Sequence, residues 1–143
     1  MNKHIKKSLD TGIHSNNVSL AMLFLRIIAG TFMLTHGYPK FLMLIGDAPI
    51  QFADPLGIGE TTSLILTVFA EFICSLFLIF GLATRFSVIP LLIAMLVAAF
   101  IVHGPDAFGR KEMSLLFASI YTVIAIVGAG KYSLDEWLFK KRR

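Results

Sequence analysis

Six side chains in the apolar part of this chain could do chemistry. Arg26, His36 and Lys40 lie in one stretch, Glu71 in a second, and His103 and Glu112 at the edges of a third and a fourth. Charges held away from water make either a proton or substrate relay or an ion pair that locks helices in register. An ionised group at the centre of a bilayer costs about 2.5–3.5 kcal/mol, while each Leu, Ile, Phe or Val returns only about 0.3–0.6. Glu71 is the most demanding of the six, because the ten residues before it, from Thr61 on, are uncharged and more than ten uncharged residues follow it. Arg26 lies four residues before Gly30, the centre of its stretch, which is about 6 Å at about 1.5 Å per residue. A long arginine on an antiparallel neighbour could reach Glu71. An Arg26–Glu71 buried ion pair is therefore expected, either structural or part of a relay.

His36 and Lys40 are four apart and share a helix face. Arg26, Met33 and Lys40 repeat at seven, with Gly30 and Gly37 on the same side, the mixture of small and polar residues that a helix interface in lipid uses. His103 and Glu112 should sit at the depth of His36 and Lys40, with Asp106, Arg110 and Lys111 between them. The four residues His36, Lys40, His103 and Glu112 are thus expected to form a polar ligand-binding pocket, roofed by the Gly- and Pro-bearing loop Gly46–Glu60. The alternative is a set of ordinary interfacial residues, with Lys40 snorkelling to the headgroups. Two histidines could ligate a haem, but no attachment motif accompanies them, and a haem is not expected. No zinc spacing, phosphate loop, His-Glu-x-x-His or Gly-x-Ser-x-Gly occurs, so no metal site is expected. The lone Cys74 excludes an internal disulfide and a Cys-x-x-Cys pair.

The elements that must position these residues follow from composition. Hydrophobic residues make up 56% and charged residues 15%, against about 25% charge in a soluble domain, and the mean hydropathy is +0.76. The chain reads as an integral membrane protein. Four apolar stretches, Ser19–Phe41, Thr61–Ala83, Phe86–Val102 and Met113–Gly130, are each near the ~20 residues a spanning helix needs. Lipid demands internal backbone hydrogen bonding, so they are helices. The expected fold is an all-α, four-helix transmembrane bundle over residues 19–130, between a tail at 1–18 and a short amphipathic basic tail at 131–143.

Thr84 or Ser87 is a plausible N-cap for the third helix, and if Ser87 is the cap, Pro90 falls in its first turn. Ser133 and Glu136 in "SLDE" fit a capping box, and Trp137 an interface anchor. The net charge of +4 is uneven: Lys3, Lys6, Lys7 and Lys140, Lys141, Arg142 and Arg143 flank the apolar segments. These charges read as topology signals facing anionic lipid, not as a nucleic-acid site. With Arg85 and Lys131 they place both termini in the cytoplasm, leaving Lys40, Arg110 and Lys111 outside. The first apolar run reads as an uncleaved span in the inner membrane.

An early Arg26, "HGYPK", "EFICSLFLIFGLATR", a third helix ending "VHG", and "GAGKYSLDEW" together resemble the DoxX family of small four-helix membrane proteins. The residues that match its pattern are Arg26, His36, Gly37, Lys40, Glu71, Gly81, Arg85, His103 and Glu112. The resemblance implies a link to thiosulfate:quinone oxidoreductase subunits and to membrane oxidoreductase assemblies that handle oxidative or thiol stress. The expected role is a redox-associated subunit whose pocket takes a quinone, a small lipophilic or thiol ligand, or a redox protein partner. A homo-oligomer is a further expected assembly. The rival classes are a non-catalytic scaffold or assembly factor and a small-solute permease, and whether the chain catalyses anything stays open.

Overall fold

The computed structural model describes residues 16–140. The expected topology charges Lys3, Lys6, Lys7, Lys141, Arg142 and Arg143 lie outside the described residues. Those residues are all-helical, without strands: α1 (Asn16–Ile45), α2 (Glu60–Phe80), α3 (Thr84–Val102), α4 (Phe108–Val127) and a short α5 (Leu134–Lys140). Helices α1, α2 and α3 are long and apolar enough to cross a membrane. Helix α4 begins five residues earlier than the apolar stretch and takes Arg110, Lys111 and Glu112 into its first turns. Its uncharged part, Met113–Val127, is about 22 Å long at about 1.5 Å per residue, shorter than the ~30 Å hydrocarbon core.

The exposed surface is far more apolar than a soluble protein's, around a core that is apolar with several polar residues in it. Phe24, Phe32, Phe100 and Ile126 are exposed, while Ser19, Arg26, Glu71, Ser75, Thr84 and Asp135 are buried. Such a surface suits lipid, and polar groups turn inward toward one another. The buried face of α1 runs Ser19, Met22, Arg26, Ala29, Gly30, Met33 and Gly37, a helical period that continues to Lys40. Helix α1 packs along all of α2, while α3 packs on α4 and on the middle of α2.

Glycine sets the register of α1 against α2. A Cβ on Gly37 would lie 2.5 Å from the Glu71 backbone, and one on Gly30 3.1 Å from the Ser75 carbonyl oxygen. The two helices are therefore antiparallel, nearly touching, with Glu71 level with Gly37. Two stretches wind as π-helix, Phe69–Cys74 in α2 and Ala98–Val102 in α3. Such wide turns are rare and concentrate at functional sites. The first carries Glu71 and the second leads into His103.

Helix α2 ends in a Schellman motif: Gly81 is left-handed (φ 67, ψ 42), Leu82 N–H donates to Phe77 O at 2.8 Å, and Gly81 N–H to Leu78 O at 3.1 Å. The expected caps of α3 are corrected here. Thr84 is already helical, the Ser87 hydroxyl donates to Ala83 O at 3.1 Å, and Pro90 lies beyond the first turn. The cap comes from far along the chain. Asp135 accepts from Ala83 N–H at 2.7 Å and Thr84 N–H at 2.9 Å, and its own N–H donates to Gly81 O at 2.9 Å. At the start of α5 the Ser133 half of the expected capping box forms, with Glu136 N–H donating to the Ser133 hydroxyl at 3.1 Å.

Candidate functional site

Side chains on a helix lean toward its N-terminus. On two antiparallel helices, a residue near the end of one therefore meets a residue lying behind it on the other. Lys40 leans back along α1 toward Gly37, and Glu71 leans along α2 toward the loop at 46–59. The two converge, with Lys40 Nζ 2.5 Å from Glu71 Oε2. The glutamate side chain is 7% exposed and the lysine 28%. One partner is sealed in and the other reaches the edge of the helical layer.

Aromatic rings line this pair. Phe41 and Phe72 stack with centroids 4.6 Å apart and planes 2° apart, and Tyr38 lies against Phe72 at 6.4 Å. Phe52, from the loop, stands with its ring centroid 6.0 Å from Lys40 Nζ, an electrostatically favourable position over the ring. From α4, Tyr121 is fully buried, its hydroxyl has no hydrogen-bond partner within the protein, and it interacts with the Glu71 charge. The loop itself is pinned. Asp54 accepts from Ile58 N–H at 3.0 Å, Gly59 N–H at 2.8 Å and the Ser63 hydroxyl at 2.8 Å. These bonds, the Ser63 hydroxyl foremost, hold the Asp54 carboxyl below the usual carboxylate range.

The expected Arg26–Glu71 pair is not formed. Each of the two finds another partner, because Arg26 leans away from Glu71 toward the opposite end of α1. Arg26 is fully buried and its Nη2 donates to Tyr132 O at 2.6 Å. Its Nη1 lies against Gly81, where a Cβ would come within 1.7 Å, and it faces the charge of Asp135. Arg26 and Glu71 thus belong to two polar centres at opposite ends of the α1–α2 contact: a loop end around Lys40 and a turn end around Asp135.

The four residues expected to share a pocket are not joined by any hydrogen bond or ion pair. Lys40 goes to Glu71, and His103 Nδ1 pairs with Asp106 Oδ2 at 2.9 Å. His36 and Glu112 are exposed. Asp106 also draws Arg110 Nη1 to 4.0 Å, and Lys111 Nζ donates to Gly104 O at 2.6 Å. His103 first, then Arg110 and Lys111, hold the Asp106 carboxyl below its ordinary value. That knot closes the α3–α4 loop on itself.

Reading the sequence alone missed Tyr121 and Asp135. Tyr121 sits in an unremarkable apolar run, although its position four residues after Phe117 and three before Ile124 follows the buried face of α4. Asp135 lay inside the recognised "SLDE", where the local capping box accounted for its neighbours. The loop-end group combines a cationic donor, a carboxylate, a free hydroxyl and flat aromatic faces. Such a set can hold a carbonyl-bearing planar molecule and exchange a proton with it.

An uncharacterised protein of Haemophilus influenzae is 31% identical over 128 residues, covering 84% of this chain and 92% of its own. An uncharacterised membrane protein of Mycobacterium tuberculosis is 27% identical over 138 residues, covering 85% of this chain and 83% of its own. No solved structure matches significantly. The DoxX family model matches residues 21–104, a span that holds Arg26, both glycine contacts, the Lys40–Glu71 pair and the capped α2–α3 turn. With that match and the long similarity to the Haemophilus protein, the chain belongs to the DoxX family.

Proposed function

We propose that this protein is a redox-associated membrane subunit that binds a quinone, or a lipophile of similar shape, at Lys40, Glu71 and Tyr121. The observation that carries the reading is the Tyr121 hydroxyl, fully buried and without a hydrogen-bond partner within the protein. A bare hydroxyl in an apolar interior is costly, and a ligand carbonyl would satisfy it. Lys40 supplies a second donor at the accessible edge, and the Phe41–Phe72 stack offers a flat face to a ring. The loop at 46–59, with Phe52 above Lys40, is the natural cover.

The test is binding of a short-chain ubiquinone analogue to the purified protein in detergent. Tyr121→Phe removes one neutral hydrogen bond and should weaken binding about 5–10-fold while the ligand-free protein keeps its melting temperature. Equal affinity in both forms, or no saturable binding to the wild type, refutes the reading. A scaffold role is favoured by one separate observation, the closeness of α1 and α2 at Gly37 and Glu71, which Lys40 ties together. In that case a protein partner co-purifies and Tyr121→Phe leaves it bound.

In this proposal all four long helices cross the inner membrane with both termini cytoplasmic. The basic residues Lys3, Lys6, Lys7, Arg85, Lys131 and 140–143 then share one side, against Lys40, Arg110 and Lys111 on the other. A cysteine placed within Asp47–Asp54 should react with an impermeant thiol reagent outside intact cells, and Lys141→Cys should not. Equal labelling of the two sinks this topology.

A further inference from the structure

Beyond the loop-end site, a second set of groups has no role in ligand holding. Among the described residues, Ser19 Oγ, Arg26 Nε and Nη1, Ser75 Oγ, Thr84 Oγ1 and Arg85 Nε are buried without a hydrogen-bond partner within the protein, as is the Tyr121 hydroxyl. They come from all four long helices. Buried polar groups are as a rule satisfied, and within a bilayer the cost of leaving one bare is higher still.

Four of these residues, Thr84, Arg26, Ser75 and Tyr121, follow one another in levels along the helices. At the turn end, Asp135 binds the Thr84 backbone N–H and faces the Arg26 charge, and Arg26 Nη1 lies against Gly81. One turn along α1 from Arg26 is Gly30, which touches the Ser75 carbonyl oxygen. Ser75 is four residues beyond Glu71 on α2, on the far side of the π-helical segment. Glu71 interacts with Tyr121 and is held by Lys40. The steps from Arg26 to Gly30 and from Ser75 to Glu71 are each about one helical turn, about 5.4 Å, a separation that a hydrogen-bonded water can bridge.

We infer that Thr84, Arg26, Ser75 and Tyr121 line an internal water tract that opens at the α2–α3 turn and ends at Glu71. The ligand it takes is water, two to four polar partners at each level being what a buried water needs. The tract gives the Glu71–Tyr121 level proton exchange with the turn side, while Lys40 faces the loop side. It stands whether or not a quinone binds, because it rests on the unpaired groups and their order along the helices.

The tract is tested by thiol accessibility in membrane vesicles of both orientations. The native Cys74 is first replaced (Cys74→Ala), and Ser75→Cys is compared with Phe77→Cys, whose native side chain is 40% exposed on the lipid-facing surface two residues away. Silver ion, which travels in water and binds thiolate, is added, and the thiol left free is counted with a maleimide mass tag. With the α2–α3 turn facing the reagent, Ser75→Cys is expected to be blocked at least tenfold faster than Phe77→Cys. Thr84→Cys serves as the second reporter should Ser75→Cys fail to fold, as judged by its melting curve. Blocking as slow as at Phe77→Cys overturns the tract. Fast blocking only from the loop side overturns it too, since water would then enter past Lys40.

Discussion

Removing Lys40 should hurt far more than removing the charge of its partner. The Glu71 side chain is 7% exposed and sits where the α1 and α2 backbones nearly touch, whereas Lys40 is 28% exposed and five residues from the end of α1. In Lys40→Met the buried carboxylate loses its only counter-charge within hydrogen-bond distance. Breaking a buried pair in this way costs about 3–5 kcal/mol. In Glu71→Gln the freed ammonium can swing along its stem to the headgroups, and the amide keeps a hydrogen-bonding group in place. That loss should be about 1–2 kcal/mol. The double variant Lys40→Met/Glu71→Gln has no stranded charge and should be more stable than Lys40→Met alone. Reversible unfolding in mixed micelles, followed by circular dichroism against the mole fraction of SDS, gives the three differences. Equal losses in the two single variants, or a double variant whose loss is their sum, would refute the asymmetry. The pair would then be a surface contact with little coupling.

Other expectations follow from the same contacts. Asp135→Ala deprives Ala83 and Thr84 of their cap and Arg26 of its nearby charge, and should cost about 3 kcal/mol. Asp135→Asn should recover part of the loss in thermal melting. Gly37→Ala drives a methyl into the Glu71 backbone and should cost about 3 kcal/mol, whereas Gly109→Ala, with open space around it, should be neutral or gain about 0.5 kcal/mol; matching melting temperatures for the two would contradict the close approach. Because the folded Asp106 carboxyl titrates below its unfolded value of about 3.9, its contribution is present above that value and fades as pH falls through the lower folded one. The excess amide exchange of Asp106→Asn over wild type at 103–107 should therefore be clear at neutral pH and vanish in acid.

Several features were legible in the residues themselves. A helical membrane architecture follows from hydropathy and from the backbone's need for internal hydrogen bonds, which are local properties. The common face of Arg26, Gly30, Met33 and Gly37 follows from the seven-residue spacing, and all four are buried. The Ser133 cap on the Glu136 N–H is confined to four residues and forms as expected. Partner choice was not legible. Aligning the helix centres put Arg26 opposite Glu71, but the glycine contacts slide α2 so that Glu71 faces Gly37, and the lean of helical side chains then selects Lys40.

The cap of α3 was hidden for a related reason. Asp135 is 51 residues from Thr84, and nothing in a sequence window says which distant carboxylate will fold back onto a helix start. Likewise His36 and Lys40 share a face by spacing, yet only Lys40 turns inward, because the packing of α2 covers one edge of that face and leaves the other to lipid. Residue type and spacing alone mark which residues are too polar for their surroundings and must find partners. Tertiary structure alone decided which partners they found, because that depends on the offset between helices, set here by two glycines that let the backbones meet.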